Sequence, residues 1–325
     1  MKSSYNPKTN ILRQILCRMQ IIKQSLTYLR LPSKGKQKDI VFFVIDPRYQ
    51  QAGLADRLKA IVNTYYIAKK NNLAFKLYFR HPFDIERYLQ PNSVDWRCSL
   101  DELDYSIWSS TLLEYRAQFP LPVLNKGRQY HYYWYQGNDA IRLYYAKTDF
   151  ETPDECWHDE FRKCFNELFK QSPVLESIVA STSLIERSYI SVHFRFVNLL
   201  GNFEGNTRKF PTLDEEAQKR LIEKCLGCLK SISEENKGLP IFVFSDSSKF
   251  LHICTKKGVN KIDGDSISNI AHNSSIDAED KAMLDFFTIG RSKKVYSVVL
   301  PGMYGGVFSQ YAAMIGGAEF ERIEG

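Results

Sequence analysis

The feature of this sequence that most constrains its fold is a set of apolar runs that alternate with segments of helical periodicity. The stretch IVFFVI at 40–45 is apolar at every position, as expected of a parallel strand covered on both faces. Apolar residues at helical spacing follow over 54–68, and LAFKLYF at 73–79 has the composition of a second strand. Strands joined by helices in this way predict a parallel sheet with helices on its faces, an α/β fold.

The same alternation returns in the second half of the chain. We expect strands at YISVHF, LPIFVF and KKVYSVV, helices over about 247–257 and 277–292, and a glycine turn that opens a small-residue helix at 305–317. Thr212 and Glu215 have the spacing of a capping box at the start of another helix. A chain of 325 residues exceeds the usual size of a single core. The sequence therefore predicts two α/β domains, over 39–185 and 186–325.

The positive charge of the chain belongs to its first 38 residues. The formal net charge is +7, yet residues 1–38 hold nine of the 44 lysines and arginines and no acid. A base excess confined to one short segment argues against nucleic-acid binding. Apolar residues recur there at steps of three and four: Ile11, Ile15, Met19, Ile22, Leu26 and Leu29.

This segment, 1–38, is interpreted as an amphipathic helix on an anionic membrane surface, with packing on the protein body or partner binding as alternatives. Arg13, Arg18 and Lys23 interrupt every candidate signal-peptide core, and no uncharged apolar run is long enough to cross a bilayer. The expected location is the cytoplasm, peripherally on the inner face of the cell membrane.

The cysteines and aromatics give weaker signals. Seven cysteines are scattered over the chain, which favours a reducing compartment. The single CxxC pair, Cys225 and Cys228, follows a helical apolar stripe, so core thiols are favoured over a metal or redox role. The run YHYYWY, Tyr130 to Tyr135, fits strand packing, with stacking on a sugar as the alternative. No residue cluster has metal-ligand spacing.

The informative residues are those that end strands, because ligands of open α/β sheets bind beyond the carboxyl ends of the strands. His193 and Arg195 end one strand and Asp246 ends the next. An arginine fork suits a phosphate, and Asp246 suits a ribose or a base edge. Gly305 and Gly306 allow close backbone approach ahead of a helix N-terminus that favours anions. Together these residues predict a site for a nucleoside diphosphate.

Four segments resemble the motifs of GDP-fucose-dependent fucosyltransferases, a group that includes bacterial nodulation, core α-1,6, α-1,2 and protein O-fucosyltransferases. They are AGLADRL, VHFRF, FVFSDS and DFFTIGRSKKVYS with GVFSQYAA, and the resemblance covers most of residues 40–317. It implies a GT-B architecture, in which two Rossmann-like domains face each other across a cleft. It also implies GDP-fucose on the C-terminal domain, the acceptor on the N-terminal domain, and inverting transfer without a metal or other cofactor.

The resemblance also assigns roles to residues. Arg195 would neutralise the departing GDP, His193 would line the same pocket, and Asp246 would contact guanosine. Phe308 and Ser309 would hold the β-phosphate side, and Gly53, Asp56 and Arg57 would form the acceptor-facing substrate-binding loop. From the residues themselves, Asp56, or alternatively Asp46, is the candidate catalytic base. An oxocarbenium-like path with late proton loss would need little help from a base, and Asp56 would then only complement the helix dipole. The chain departs from the motifs at Phe196, which replaces a second arginine, and at Ala55-Asp56, which replaces Gly-Asn.

The resemblance implies an inverting glycosyltransferase that moves fucose from GDP-fucose to a glycan acceptor in surface polysaccharide or glycolipid synthesis. An inactive nucleotide-sugar or glycan-binding protein of the same fold is the alternative that Phe196 leaves open. A sulfotransferase is disfavoured, because no basic phosphate-binding turn follows the strand at 40–45.

Overall fold

The computed structural model describes residues 19, 22–46, 53–136, 139–148, 151–201, 210–262 and 275–325, without the side chains of 116 and 134–136. The strands are β1 (Ile40–Ile45), β2 (Ala74–Phe79), β3 (Leu89–Pro91), β4 (Ser110–Arg116), β5 (Gln129–Gln136), β6 (Phe169–Gln171), β7 (Ile190–Phe194), β8 (Ile241–Ser245), β9 (Asn260–Lys261), β10 (Lys294–Val299) and β11 (Glu319–Glu324). The helices are α1 (Leu54–Lys70), α2 (Ala140–Lys147), α3 (Pro153–Leu168), α4 (Pro173–Ala180), α5 (Glu215–Glu235), α6 (Ser248–Lys256), α7 (Ile276–Arg291) and α8 (Phe308–Gly316).

Two parallel sheets form the framework, which confirms the α/β class. The first has the order β2-β1-β5-β4 and the second the order β11-β10-β7-β8-β9. β3 and β6 form a separate short antiparallel pair. Every residue of β1 and β7 is buried, as their unbroken apolar runs predict.

The second sheet has different neighbours on its two faces. One face packs on α5 and α6 through an apolar cluster that includes Val192, Val243 and Val298. Phe244 and Val295 point to the other face, which α7 and α8 cover. Side chains along a strand point alternately to the two faces of the sheet, so the position of a candidate site residue in its strand decides which face it lies on.

α1 is buried over almost its whole surface, whereas its spacing predicts one apolar stripe. Lys59, Asn63 and Thr64, which would face water on an isolated amphipathic helix, are all buried. The first sheet, α3 and α8 together surround this helix. Asn63 and Thr64 satisfy their side chains by donating hydrogen bonds of 2.8 Å to the carbonyl groups one turn earlier.

The largest apolar cluster contains residues from both halves of the chain. It joins the first sheet, α1 and α3 to Phe244 of β8 and to the apolar faces of α7 and α8. In sequence, the strands of the first sheet come before residue 185 and those of the second sheet come after it. The apolar cluster nevertheless contains residues from both sides of this predicted boundary. The division into domains over 39–185 and 186–325 stays a prediction.

Two of the differences from the sequence analysis have a clear physical reason. The capping box at Thr212 and Glu215 is wrong: the N-cap of α5 is Asp214, whose side chain accepts a hydrogen bond from Ala217 N (2.7 Å). Thr212 Oγ1 instead accepts one from Asn198 (2.9 Å).

The strand β11 was also not predicted, because its charged residues break the apolar pattern. Among the described strands it pairs only with β10, and an edge strand tolerates such residues.

α7 and α8 approach each other at two glycines. A Cβ atom on Gly316 would lie 2.1 Å from the carbonyl oxygen of Gly290, so neither position has room for a side chain. Arg187 holds the ends of both helices. It donates hydrogen bonds to Gly290 O (3.1 Å), Ser292 O (2.5 Å) and Gly316 O. These are carbonyls at helix C-termini, where a cation is favoured.

Candidate functional site

β7 delivers His193 and Arg195 to the carboxyl edge of the second sheet. His193 is buried, and its ring centroid lies 5.7 Å from that of Phe308. Burial, together with the nearby Arg195 cation, lowers the pKa of His193 to about 3. The imidazole is therefore neutral at pH 7, and it can line a ligand pocket without adding a charge to it.

Asp246 organises the turn that follows Arg195. Its two carboxylate oxygens accept hydrogen bonds of 2.8 Å from the backbone N–H groups of Phe196 and Val197. One of them also lies 3.3 Å from Arg195 Nε. Val197 has a φ of +55°, a conformation that is uncommon outside glycine. Its hydrogen bond to the Asp246 carboxylate stabilises this backbone conformation. Burial raises the pKa of Asp246, whereas Arg195 and the two backbone groups oppose that rise.

This arrangement gives Asp246 a contact that the sequence analysis did not predict. The resemblance assigns the residue to guanosine, whereas its carboxylate here holds the backbone that presents Arg195. A carboxylate has acceptor sites left after these hydrogen bonds. The guanosine contact accordingly stays a prediction, beside the observed contacts of Asp246 with Arg195 and the turn that follows it.

Phe308 and Ser309 open α8 as the sequence predicts. The N-cap residue is Val307, which has no side-chain hydrogen bond to the helix. The first backbone N–H groups of α8 thus lack a capping side chain, and such groups bind anions readily. Ser309 is fully buried, and its Oγ has no hydrogen-bond partner in the described part of the chain. Phe308 packs between His193 and Phe286.

The first-half candidates lie at the start of α1. Gly53 is the N-cap, and Asp56 forms an ion pair of 2.9 Å with Lys59. Arg57 is only 2% exposed, and its guanidinium carbon lies 5.8 Å from the centre of the Phe79 ring. Burial lowers the pKa of Arg57 to about 10, although Asp56 opposes the shift. Arg57 is therefore an interior cation, and Asp56 is the more accessible of the two charged residues.

A polar network connects this helix start to α8. Tyr311, which lies close behind Ser309 on α8, donates a hydrogen bond to Asp139 Oδ2 (2.6 Å). The Lys59 ammonium lies 5.4 Å from the centre of the Tyr311 ring. Asp139 also caps α2 by accepting a hydrogen bond from Arg142 N (3.2 Å). This network of contacts joins the helix that carries Phe308 and Ser309 to the helix that carries Asp56.

Sequence reasoning did not find Tyr311, Lys59 or Asp139. Each has an ordinary local explanation, as a helical aromatic, a helical cation or an N-cap. Their association depends on contacts between residues up to 252 positions apart, between Lys59 and Tyr311. The one local signal is that Asp139 directly precedes the helix at 140–147, a position typical of an N-cap residue.

The predictions for the cysteine pair and for the aromatic run have clear outcomes. Cys225 is fully buried in the core and Cys228 packs against the same cluster, which confirms the core-thiol interpretation. Tyr130, Tyr132 and Tyr133 are buried in β5, so packing explains that part of the aromatic run. Within the described ranges no group of three His, Cys, Asp or Glu side chains could hold a metal ion. None of the helices in that part is sufficiently long and apolar to cross a membrane.

The two buried histidines predict that the folded protein loses stability in mild acid. Burial lowers the pKa of both His131 and His193 from 6.5 to about 3. As the pH falls below 6.5, the unfolded chain binds protons that the folded chain does not, which favours unfolding. Between about pH 6.5 and pH 5, each histidine should lower the free energy of unfolding by roughly 2 kcal/mol. Urea unfolding at a series of pH values measures this.

The control uses variants with and without a buried imidazole. His193→Gln should show a smaller loss of stability between neutral pH and pH 5 than the wild type, whereas the exposed His252→Gln should not differ from it. An identical pH dependence in all three proteins would rule out a contribution from His193.

In its fold, the chain is similar to solved structures of fucosyltransferases. NodZ alpha-1,6-fucosyltransferase soaked with GDP-fucose aligns over 86% of this chain and 93% of its own, with 12% identity and a TM-score of 0.52. Fucosyltransferase NodZ from Bradyrhizobium aligns over 85% and 93%, with 10% identity and a TM-score of 0.53. A variant of Arabidopsis thaliana FUT1 in complex with GDP aligns over 94% of this chain and 74% of its own, with 11% identity and a TM-score of 0.55.

No protein-family model matches the sequence, and no curated protein matches it either. The likeness is therefore one of three-dimensional structure. It confirms at the level of fold the resemblance that the sequence motifs indicate.

Proposed function

We propose that this protein is an inverting glycosyltransferase that transfers fucose from GDP-fucose to a glycan acceptor in surface polysaccharide or glycolipid synthesis. The observation that carries the proposal is the placement of Arg195 directly after the carboxyl end of β7. It lies two residues beyond His193, whose ring centroid is 5.7 Å from that of Phe308 at the start of α8. The likeness in fold to fucosyltransferases solved with GDP-fucose and with GDP supports the same donor.

In the proposed reaction, an acceptor hydroxyl attacks C1 of fucose from the side opposite GDP. The bond from C1 to the β-phosphate oxygen breaks as the new C1–O bond forms, and its electron pair leaves with GDP. Negative charge grows on the diphosphate as positive charge grows on the sugar, so fixed cations and N–H groups beside the diphosphate lower the barrier. Arg195 supplies a planar fork of N–H donors for this purpose, and Asp246 fixes the turn beside it.

Asp56 is the proposed base for the acceptor proton. Its side chain is 30% exposed beside Lys59, whereas Asp46 is only 4% exposed. A base must reach the substrate, and Asp56 meets this requirement better. Gly53 and Arg57 are proposed to shape the same loop, with Arg57 acting from the interior.

The alternative is a nucleotide-sugar or glycan-binding protein of the same fold that has lost catalytic activity. Phe196 replaces the second arginine of the motif, and it is fully buried against Phe194 and Phe250. A binding protein would retain the nucleotide site without cleaving the sugar.

The deciding experiment incubates purified protein with a panel of nucleotide sugars, with and without EDTA, and follows nucleotide release. We expect GDP release from GDP-fucose above that from UDP-sugars, unchanged by EDTA. Binding of GDP-fucose without release in the presence of varied glycan acceptors would favour the binding protein. Activity that EDTA removes and Mg²⁺ or Mn²⁺ restores would contradict the proposed absence of a metal.

We further propose that the N-terminal segment attaches the enzyme to an anionic membrane surface. Residues 22–27 are helical, and Ile22, Leu26 and Leu29 are each more than 60% exposed. The interpretation that places Ile22 and Leu26 in the core is wrong. Tyr28 is instead the buried anchor, and its hydroxyl lies 2.5 Å from His131 Nδ1. Ile11 and Ile15 lie outside the described residues.

Replacing Ile22, Leu26 and Leu29 together by serine should abolish co-sedimentation with anionic vesicles. Burying these side chains supplies the apolar part of the binding free energy, and each nearby base adds roughly 1 kcal/mol at an anionic surface. Because the three side chains are already exposed, the melting temperature and the turnover of a soluble acceptor should hardly change.

The matched control replaces Val123 and Ile185 by serine, since both are exposed and lie far from this segment in sequence. This control should bind vesicles like the wild type, and salt should weaken binding by both proteins. Equal binding by the triple variant, or a large fall in its melting temperature, would contradict the membrane role.

A further inference from the structure

Arg322 lies on the edge strand β11 and points to the same sheet face as His193. In register, Arg322 pairs with Ser297 of β10, and Ser297 pairs with His193 of β7. Paired residues of parallel strands share a face. The three side chains therefore form a row on the face that α7 and α8 cover, and Ile323, the next residue, packs in the cluster on the opposite face.

The Arg322 guanidinium lies beside the glycine turn that precedes α8. Its Nη2 donates a hydrogen bond to Gly306 O (3.2 Å), and its Nη1 would lie 3.9 Å from a Cβ atom on Gly305. Its Nε is buried and has no hydrogen-bond partner in the described part of the chain. None of the ion pairs formed among the described residues involves Arg322, although Lys294 and Glu321 pair nearby on the same two strands.

The charges at the candidate site leave a role for such a cation. Arg195 lies 3.3 Å from Asp246, so part of its charge is already offset by a buried carboxylate. The second arginine of the motif is replaced by Phe196, which packs in the core and cannot face a ligand. A diphosphate at the start of α8 would thus meet one arginine that a carboxylate partly neutralises, together with the helix N-terminus.

We propose that Arg322 binds the diphosphate of the donor from the side of Gly305 and Gly306, opposite Arg195. The inference rests on the proposed function and adds a binding residue to that site. β11 and β7 are separated by one strand, which places the two arginine backbones on the order of 10 Å apart. Two long side chains that converge from such positions can contact a diphosphate from both sides. Arg322 as a whole residue is partly exposed at this edge of the sheet, although its Nε is buried.

The test measures binding of GDP and of uncharged guanosine by calorimetry to the wild type, Arg322→Lys and Arg322→Gln. We expect Arg322→Gln to bind GDP roughly 10- to 100-fold more weakly, as for the loss of a charge-assisted hydrogen bond, while guanosine binding is unchanged. Arg322→Lys should recover part of the lost affinity because it keeps the charge. The dependence of GDP affinity on salt should become shallower in Arg322→Gln.

The matched control is Arg220→Gln, which removes an exposed arginine that pairs with Glu216 on α5. Its GDP affinity should equal that of the wild type. If Arg322 only supports the turn through Gly306, both Arg322 variants would weaken GDP and guanosine binding in parallel, and the inference would be overturned. GDP binding that is equal in the wild type and Arg322→Gln would overturn it while leaving the proposed function intact. A wild type that binds no GDP would overturn both.

Discussion

Arg195→Ala is expected to lower the turnover of GDP-fucose by about 100- to 1,000-fold, the usual cost of removing a group that stabilises transition-state charge. The residue directly follows β7, and Asp246 and the turn at Phe196 and Val197 hold its position. Arg195→Lys should recover only a small part of the activity, because a single ammonium cannot reproduce the two parallel hydrogen bonds of a guanidinium. The measurement is kcat/KM for GDP release with a glycan acceptor.

This experiment needs a check on folding, since alanine would leave the buried Asp246 carboxylate without its cation. Arg195→Lys keeps that cation, and its melting temperature should lie close to that of the wild type. A folded Arg195→Lys protein with low turnover would separate the chemical role from the structural role. Near-normal turnover by folded Arg195→Ala would remove the residue from the mechanism.

Gly316→Ala is expected to destabilise the protein by about 3 kcal/mol or more, toward the upper end of the range for overpacked sites. The added methyl group would lie 2.1 Å from Gly290 O, and this contact is with backbone, which cannot rotate away. α7 and α8 would have to separate, and the hydrogen bonds that Arg187 makes to the ends of both helices would be disturbed. Guanidinium chloride unfolding measures the change.

Gly227→Ala provides a matched control within α5. A Cβ atom there meets no other atom within 4 Å, so the substitution should raise the free energy of unfolding by up to about 1 kcal/mol through helix propensity. Similar effects of the two substitutions would show that α7 and α8 can adjust to a side chain between them.

The sequence predicted the strands that are apolar at most positions. β1, β7 and β10 are buried in their sheets, and burial on both faces imposes the unbroken hydrophobic pattern that can be read directly. It did not predict β11, because an edge strand lacks that requirement. The start of α5 was misplaced by two residues since Thr212 and Asp214 both suit an N-cap, and only the folded turn decides between them.

The candidate site was predictable where a residue ends a strand or begins a helix. Arg195, Asp246 and Phe308 are found at such positions. The hydrogen bonds from Phe196 and Val197 to Asp246, and the position of Arg322 beside Gly306, were not predictable. They are set by the order of strands in the sheet, which brings together residues that are distant in sequence.

The contact between α8 and the first half of the chain bears on how substrates would enter in the proposed reaction. Tyr311 donates a buried hydrogen bond to Asp139, and its ring packs at 5.1 Å against that of Phe161. A rigid rotation of one sheet away from the other would break both contacts and expose apolar surface of the cluster that spans the two halves of the chain. In the proposed reaction, such an opening would carry this cost on every catalytic cycle. If the proposal holds, donor and acceptor should therefore exchange without separation of the two sheets, around a fixed helical junction.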